Sequence, residues 1–125
     1  MVVFDVLDNL ETYSSVIPHM DDVVYVMDHS KPYDDSVGEY ECRANSEVKY
    51  KVSAHLSSET GFPGEEFPSH IVLEICLEGE EMVSVEGGVF KLSQGRFLAY
   101  SGEGPVKRGV MLSTPTAFKT VRFIL

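Results

Sequence analysis

Apolar and polar residues alternate through the middle of the chain, a period of two that predicts β-strands. Between positions 48 and 57, the valines, tyrosine, alanine and leucine occupy one face, and the lysines, serines and His55 occupy the other. A second strand is predicted from about position 69 to 77, with isoleucine and leucine on one face. Its other face carries His70, Val72, Glu74 and Cys76. Each strand therefore has one apolar face and one face that meets water or a pocket.

The second half of the chain continues with short strands and tight turns. The run 85–90 predicts a hairpin with a two-residue turn, because Gly87-Gly88 supplies the positive φ angles that such a turn requires. Further strands are predicted around 97–100, 110–112 and 118–123, and the basic pair Lys107-Arg108 is predicted to lie in a solvated turn. The apolar C-terminal segment 121–125 is expected to be buried, either in the barrel or against a partner.

The N-terminal part carries helical signals. Asp8 and Glu11 have the spacing of a capping box, and Pro18 suits the first position of a second helix. Behind it, four apolar residues recur at helical spacing: Met20, Val23, Val24 and Met27. The segment 30–36 is rich in turn residues and is predicted to be a loop. Two short helices followed by many short strands favour a mainly β sandwich or barrel with the helices packed outside.

Composition narrows the class of protein. The chain has 125 residues, of which 43% are hydrophobic, and this suits one globular domain spanning 1–125. The net charge of −10 repels phosphate backbones and anionic lipid, so neither nucleic acid nor a membrane is an expected partner. No secretory signal or membrane-spanning run is recognised. Cys42 and Cys76 are therefore expected to be reduced thiols of a cytoplasmic protein.

Glycines and one histidine in the middle of the chain resemble the two sequence motifs of the cupin superfamily. The first motif is matched by Gly64, His70 and Gly79, and the second by Gly95 and the turn 102–105. Cupins are double-sheet jelly rolls, and the resemblance implies a metal held by histidines and a glutamate inside the barrel. In this chain, Val72 stands at the second histidine position and Val106 at the histidine position of the second motif.

A longer resemblance covers nearly the whole chain. The segments 4–13, 38–41, 48–59 and 64–81 are similar to the YhcH/YjgK/YiaL family, to which the small subunit of evolved β-galactosidase also belongs. The opening Phe-Asp-Val-Leu-Asp-Asn-Leu-Glu-Thr-Tyr and the later Leu-Glu-Gly-Glu-Glu are together its most specific parts. The resemblance implies a cupin-like double-stranded β-helix (jelly roll), a dimer, and a metal-dependent role in sugar metabolism.

The departures from that family fall at its metal-ligand positions. The family's Glu-x-His is Glu65-Glu66-Phe67 here, its downstream aspartate is Val72, and its late histidine is Val106. A catalytic transition-metal site typically needs about three protein ligands, so too few donors remain. No metal or other cofactor is therefore expected, although the resemblance implies a divalent transition metal in other members.

Four polar residues remain as candidates for a displaced ligand-binding site: His55, Glu65, His70 and Glu74. They converge only if a neighbouring strand and the preceding turn bring His55 and Glu65 to the second strand. The alternative is that His70 and Glu74 face water or pair across the sheet with Lys49, Lys51 or Arg96. No catalytic residue is assigned.

Three functions are consistent with these observations. The first is a non-catalytic or degenerate cupin-like domain that binds a small carbohydrate-like ligand within a homodimer. The alternatives are a sugar isomerase or epimerase that uses the displaced His/Glu set, and an accessory subunit of a larger sugar-metabolising enzyme. A homodimer is expected because an open jelly roll keeps edge strands, which a second copy can cover.

Overall fold

The computed structural model describes residues 1–29, 31–43, 45 and 47–125. A 3-10 helix spans Leu7–Tyr13, helix α1 spans Met20–Asp28, and the short helix α2 spans Lys31–Asp34. The strands, in chain order, are β1 Val2–Val6, β2 Gly38–Glu41, β3 Lys49–Leu56, β4 Phe62–Pro63, β5 Ile71–Glu78, β6 Glu80–Val85, β7 Gly88–Ser93, β8 Arg96–Ser101, β9 Val106–Val110 and β10 Ala117–Ile124. No helix among the described residues has the length and apolarity needed to cross a membrane.

These strands form two antiparallel sheets. The larger sheet has six strands in the order β1-β8-β5-β10-β3-β2, and the smaller has four in the order β4-β9-β6-β7. The C-terminal strand β10 lies inside the larger sheet, between β5 and β3. The predicted mainly β architecture is therefore confirmed.

Successive side chains of β5 and β10 point to opposite faces of the larger sheet, and both faces are buried there. The outer face, which includes Leu73, Ile75 and Phe123, packs against Ile17 and against Val23 of α1. The helices therefore lie outside the sheet, as the sequence predicts. The inner face meets the smaller sheet in a second apolar cluster: Val72, Cys76, Val83, Val85, Leu92, Leu98, Tyr100 and Val106.

The first residues differ from the helical prediction. Val2–Val6 forms an edge strand that pairs with β8, and the helix after it is a 3-10 helix without a side-chain cap. Asp5 is the residue that holds this turn: its carboxylate accepts hydrogen bonds from the Val6 backbone N–H at 2.6 Å and the Tyr13 hydroxyl at 2.7 Å. The capping box predicted from Asp8 is therefore replaced by contacts to a residue three positions earlier.

The helix and loop predictions that follow are corrected in position. Helix α1 begins at Met20 after His19, whose φ of 57° lies in the left-handed region, so Pro18 is outside the helix. Helix α2 occupies part of the segment 30–36 that was expected to be a loop, while Ser30 lies outside the described residues.

The hairpin between β6 and β7 is confirmed, but its turn lies one residue earlier than predicted. Glu86 and Gly87 are the turn residues, with φ angles of 48° and 79°, and Gly88 already pairs with Val85. Positive φ at both central positions is what the twist of the two strands requires. Strand β9 also starts earlier than predicted, at Val106, so Lys107 and Arg108 are strand residues rather than a turn.

Candidate functional site

Three neighbouring strands bring charged residues to one level of the inner face. Lys51 on β3 lies opposite Arg122 on β10, and Arg122 lies opposite Glu74 on β5. Because successive strand residues point to opposite faces, and Val121 and Phe123 pack outward, Arg122 points inward. The register of the sheet therefore places a lysine, an arginine and a glutamate in one row inside the barrel.

A buried ion network lies at the centre of this interior. Arg108 reaches across from β9, and its Nε lies 3.1 Å from Glu74 Oε1. Its Nη2 lies 3.2 Å from Glu81 Oε2 and donates to Thr120 Oγ1 at 3.1 Å. Glu74 Oε1 also accepts the Tyr100 hydroxyl at 3.0 Å. The side chains of Arg108 and Glu74 are 2% and 0% exposed, so this cluster is removed from solvent.

Burial and mutual attraction set the charges in this network. Burial raises the pKa of Glu81 to about 7, against the opposing pull of Arg108 and with a further push from Glu74. Burial alone would lower the pKa of Arg108, but Glu74 and Glu81 together raise it. The pKa of Tyr100 is raised by burial and then by Glu74, so its hydroxyl stays protonated and donates. Near neutral pH the Glu81 carboxyl is therefore close to the midpoint of its titration.

A second cluster lies nearer the surface, where the loop 64–70 passes over the row. Lys51 Nζ lies 2.9 Å and 3.1 Å from the two carboxylate oxygens of Glu65, and Arg122 Nη2 lies 3.5 Å from Glu65 Oε1. The hydrogen bond from Lys51, and then the charges of Lys51 and Arg122, hold the pKa of Glu65 below its ordinary value. Both cations also approach the ring of Phe67, at 5.2 Å and 5.9 Å from its centroid.

An open cleft of about 710 Å³ adjoins this second cluster. The side chains that line it include Lys49, Lys51, Phe67 and His70 and three acidic residues, Glu39, Glu41 and Glu47. The volume lies within the roughly 300–1,000 Å³ of small-molecule sites. An aromatic ring with several charged side chains around it can pack against the apolar part of a small ligand and bond its polar groups.

The two histidines predicted as site residues lie far apart. His55 pairs with Phe118 of β10 and contacts the rings of Phe62 and Phe118 at 4.8 Å and 5.8 Å. Burial, and then repulsion from two buried arginines, lowers its pKa. His70 precedes β5 at the other end of β10, and its Nδ1 lies 2.9 Å from the Pro68 carbonyl oxygen. Phe118, opposite His55, and Ile124, opposite Val72, are six residues apart on β10, and His70 lies beyond Val72. At about 3.3 Å per strand residue the two histidines are therefore separated by more than about 20 Å.

The four candidates are therefore not gathered into one site. Glu74 belongs to the buried ion network, Glu65 belongs to the surface cluster, and His70 lines the cleft. His55 lies at the opposite end of β10, opposite Phe118, and its side chain is exposed. The pairing of Glu74 is with Arg108 rather than with Lys49, Lys51 or Arg96.

The interior residues do not fit the divalent metal that the family resemblance implies. Val72 and Val106 are buried in the inner apolar cluster, and Phe67 packs against its edge. The described residues contain no group of three or more His, Cys, Asp or Glu side chains placed to hold one ion. The two interior glutamates already share the guanidinium of Arg108, a fixed cation that would repel a metal.

Several residues of the site were not predicted from the sequence. Arg108, expected in a solvated turn, is buried. It lies with Val106 on the inner side of β9, while Lys107 between them points outward. Arg122 and Glu81 were not singled out either. Only Arg122 carried a signal in the sequence, because it is a charged residue between Val121 and Phe123 in a predicted strand. Arg108 lies between Lys107 and Gly109, and Glu81 follows Glu80, and neither falls in a predicted strand.

Comparison with known proteins supports the fold alone. No protein-family model matches the chain, and no curated protein matches it in sequence. A cupin protein from Bacteroides fragilis superposes with a TM-score of 0.56 at 14% identity, over 74% of this chain and 77% of that one. A cupin superfamily protein from Desulfitobacterium hafniense gives 0.53 at 15% identity, over 73% and 78%. A protein from Neisseria meningitidis gives 0.54 at 11% identity, over 94% and 96%.

The two sheets, their antiparallel order and these likenesses define a cupin-like jelly roll with short N-terminal helices outside it. The fold expected from the sequence is confirmed. The narrower YhcH/YjgK/YiaL membership stays a prediction.

Proposed function

We propose that this chain is a cupin-fold binding domain that holds a small carbohydrate-like ligand in the cleft beside Lys51 and Phe67, without a metal and without catalysis in the barrel. The observation that carries the proposal is the occupation of both interior carboxylates, Glu74 and Glu81, by Arg108. The sequence resemblance to a family linked to sugar metabolism supports the class of ligand.

The interior is poorly suited to acid–base chemistry on a ligand. Both oxygens of Glu81 are engaged, one by Arg108 and the other by the Gly109 backbone N–H at 2.9 Å. Glu74 Oε1 is engaged by Arg108 and Tyr100, and Glu74 Oε2, which has no hydrogen-bond partner, belongs to a side chain that is 0% exposed. A general base needs a free carboxylate oxygen within hydrogen-bond reach of its substrate. These contacts favour a structural role for the network and leave the cleft as the place for a ligand.

The cleft has the composition that a sugar requires. The C–H face of a sugar ring packs on an aromatic side chain, and its hydroxyls exchange hydrogen bonds with charged groups. Phe67 supplies the ring. Lys49 and Lys51 supply donors, and the three acidic residues that line the cleft supply acceptors. The Phe67 N–H donates to the Gly102 carbonyl oxygen at 2.7 Å, and this hydrogen bond fixes the backbone of Phe67.

The proposal is tested by titrating isotope-labelled protein with glucose and galactose and following backbone amide signals. We expect shifts confined to Lys49, Lys51, Phe67, His70 and their neighbours. Phe67→Ala should weaken binding about tenfold, or about 1.4 kcal/mol. Tyr25→Ala, which removes an exposed aromatic ring on α1, should leave it unchanged.

Two results would contradict the proposal. One is the absence of any shift in the cleft with either sugar. The other is stoichiometric binding of zinc, copper or nickel to the purified protein, lost on substitution of Glu74 or Glu81.

We also propose that the domain is a homodimer. The outer edges of β1 and β2 have no neighbouring strand among the described residues. Exposed edges of this kind are commonly covered by a second copy.

A further inference from the structure

We propose that the ligand of this cleft carries a carboxylate, which binds Lys51 and Arg122 in place of the side chain of Glu65. This inference rests on the proposed function and deepens it: the ligand class becomes a small hydroxy acid, such as a sugar acid. The carboxylate of Glu65 then acts as a built-in competitor that closes the site when no ligand is bound.

The contacts of Glu65 show what the two cations accept. Its carboxylate lies 2.9 Å from Lys51 Nζ and 3.5 Å from Arg122 Nη2. The side chain of Glu65 is 54% exposed, whereas that of Arg122 is only 9% exposed. A buried guanidinium thus relies for its ion pair on an exposed, exchangeable carboxylate. A ligand carboxylate has the same charge and geometry and can make the same two contacts.

Three buried side-chain atoms of the described residues have no hydrogen-bond partner: the donor Arg122 Nε, the acceptor Glu74 Oε2, and Arg108 Nε, which lies at ion-pair distance from Glu74 Oε1. Arg122 and Glu74 lie directly opposite each other on β10 and β5. An unpaired buried donor destabilises the fold, so Arg122 favours a molecule that pairs its Nε. A ligand carboxylate oxygen is an acceptor that suits this donor.

Exchange requires only a change of side-chain rotamer at Glu65. The loop that carries it is fixed on both sides by backbone hydrogen bonds. Gly64 N donates to Val106 O at 2.9 Å, and Phe67 N donates to Gly102 O at 2.7 Å. The Glu65 carboxylate can therefore rotate into solvent while Phe67 stays in place to receive the ligand.

Charge around the cleft favours a single carboxylate over a phosphate. Glu39 Oε1 lies 3.1 Å from Lys51 Nζ, and Glu39 is on β2, on the side of β3 away from Arg122. Glu41 and Glu47 also line the cleft. These carboxylates repel a dianion more strongly than a monoanion. We therefore expect a phosphorylated sugar to gain nothing from the two cations.

The test uses matched pairs of sugars, with dissociation constants measured on the wild-type chain by calorimetry or amide shifts. Glucuronate should bind at least tenfold more tightly than glucose, and galacturonate at least tenfold more tightly than galactose. Glucose 6-phosphate should bind no better than glucose. Lys51→Met should remove most of the advantage of each uronate over its matched neutral sugar.

The competitor role is tested with two neighbouring variants. Glu65→Gln should tighten uronate binding several-fold and leave neutral sugars unchanged. Glu66→Gln removes the same charge from the adjacent exposed residue, which forms no ion pair in the described part of the chain. It should have no effect on either class of sugar.

Each alternative outcome is decisive. Equal binding of uronates and neutral sugars, or equal effects of the two glutamine variants, would overturn the carboxylate inference and leave the proposed function standing. Absence of binding by all four sugars would overturn both. Tighter binding of glucose 6-phosphate than of glucuronate would replace the carboxylate with a phosphate.

Discussion

At the scale of single residues, Arg108 compensates two carboxylates that have no other cationic partner among the described side chains. An ion cluster of two acids and one base carries a net negative charge when fully ionised, and burying that charge is costly. A proton on Glu81 removes this net negative charge. This is the physical reason why burial, only partly offset by Arg108, raises the pKa of Glu81.

The stability of the fold should therefore carry a pH dependence that belongs to Glu81. Its pKa is about 7 in the folded chain and is expected to return to its ordinary 4.5 on unfolding. Because the folded state holds the proton more tightly, the stabilisation is complete below pH 4.5 and is lost as the pH rises through about 7. We expect the free energy of unfolding of the wild type, relative to Glu81→Gln, to fall across this range.

Urea unfolding of the wild type and of Glu81→Gln between pH 4 and 8 measures this difference in the free energy of unfolding. Each unit of pKa shift corresponds to about 1.4 kcal/mol. Glu59→Gln, which removes an exposed carboxylate, is the control and should follow the wild-type curve. A constant difference between wild type and Glu81→Gln would show that Glu81 titrates at its ordinary value.

The sequence could predict such residues only in part. Glu74 was a candidate because it shares one face of a predicted strand with His70. Arg108 was missed because its burial depends on Glu74 and Glu81, which lie 34 and 27 positions away in the chain. Glu74 is in the opposite sheet, and Glu81 is on the neighbouring strand β6. The role of Glu65 was missed for the same reason: its cations come from two other strands.

At the scale of elements, the turn after β8 holds the loop that carries Phe67. Gly102 N donates to the His70 carbonyl oxygen at 2.9 Å, and Gly102 O accepts the Phe67 N–H at 2.7 Å. A Cβ on Gly102 would lie 2.4 Å from the Phe67 carbonyl oxygen and 3.0 Å from Phe67 Cβ. The two segments therefore approach as closely as they do because residue 102 has no side chain.

We expect Gly102→Ala to lower the free energy of unfolding by about 1–3 kcal/mol, the usual cost of inserting a group into a packed site. It should also weaken sugar binding, because Phe67 must move. Gly104→Ala in the same turn adds a Cβ with no atom within 4 Å and should change neither. Urea unfolding and the amide titration give the two readouts, and equal behaviour of the two variants would contradict the role of Gly102.

Elements were predictable where the pattern was local. Strands β3 and β5 follow from strict alternation, and α1 from apolar residues at helical spacing. Strand β1 was missed because Val-Val-Phe-Asp-Val does not alternate, and its partner β8 lies more than 90 positions later in the chain. The cleft was beyond prediction, since it forms where the β2–β3 edge meets the loop before β5.

At the scale of the whole molecule, the two outer edges of the larger sheet differ in chemistry. Strand β2 carries Glu39 and Glu41, and charged side chains on an edge discourage pairing with another chain. Strand β1 carries Val2, Val3 and Phe4, with Asp5 as its only charged residue. The β1 edge is therefore the one that we expect a second copy to cover, in a symmetric antiparallel pairing.

We expect light scattering to report twice the mass of the chain, with the dimer strengthened by salt, because each copy carries a net charge of −10 and salt screens the repulsion between them. Val6→Lys, at the 36% exposed end of β1, should weaken the dimer at least tenfold. Val37→Lys places the same charge at a 63% exposed position before β2 and should not. A monomer at all salt concentrations would contradict the dimer, and disruption by Val37→Lys alone would move the interface to β2.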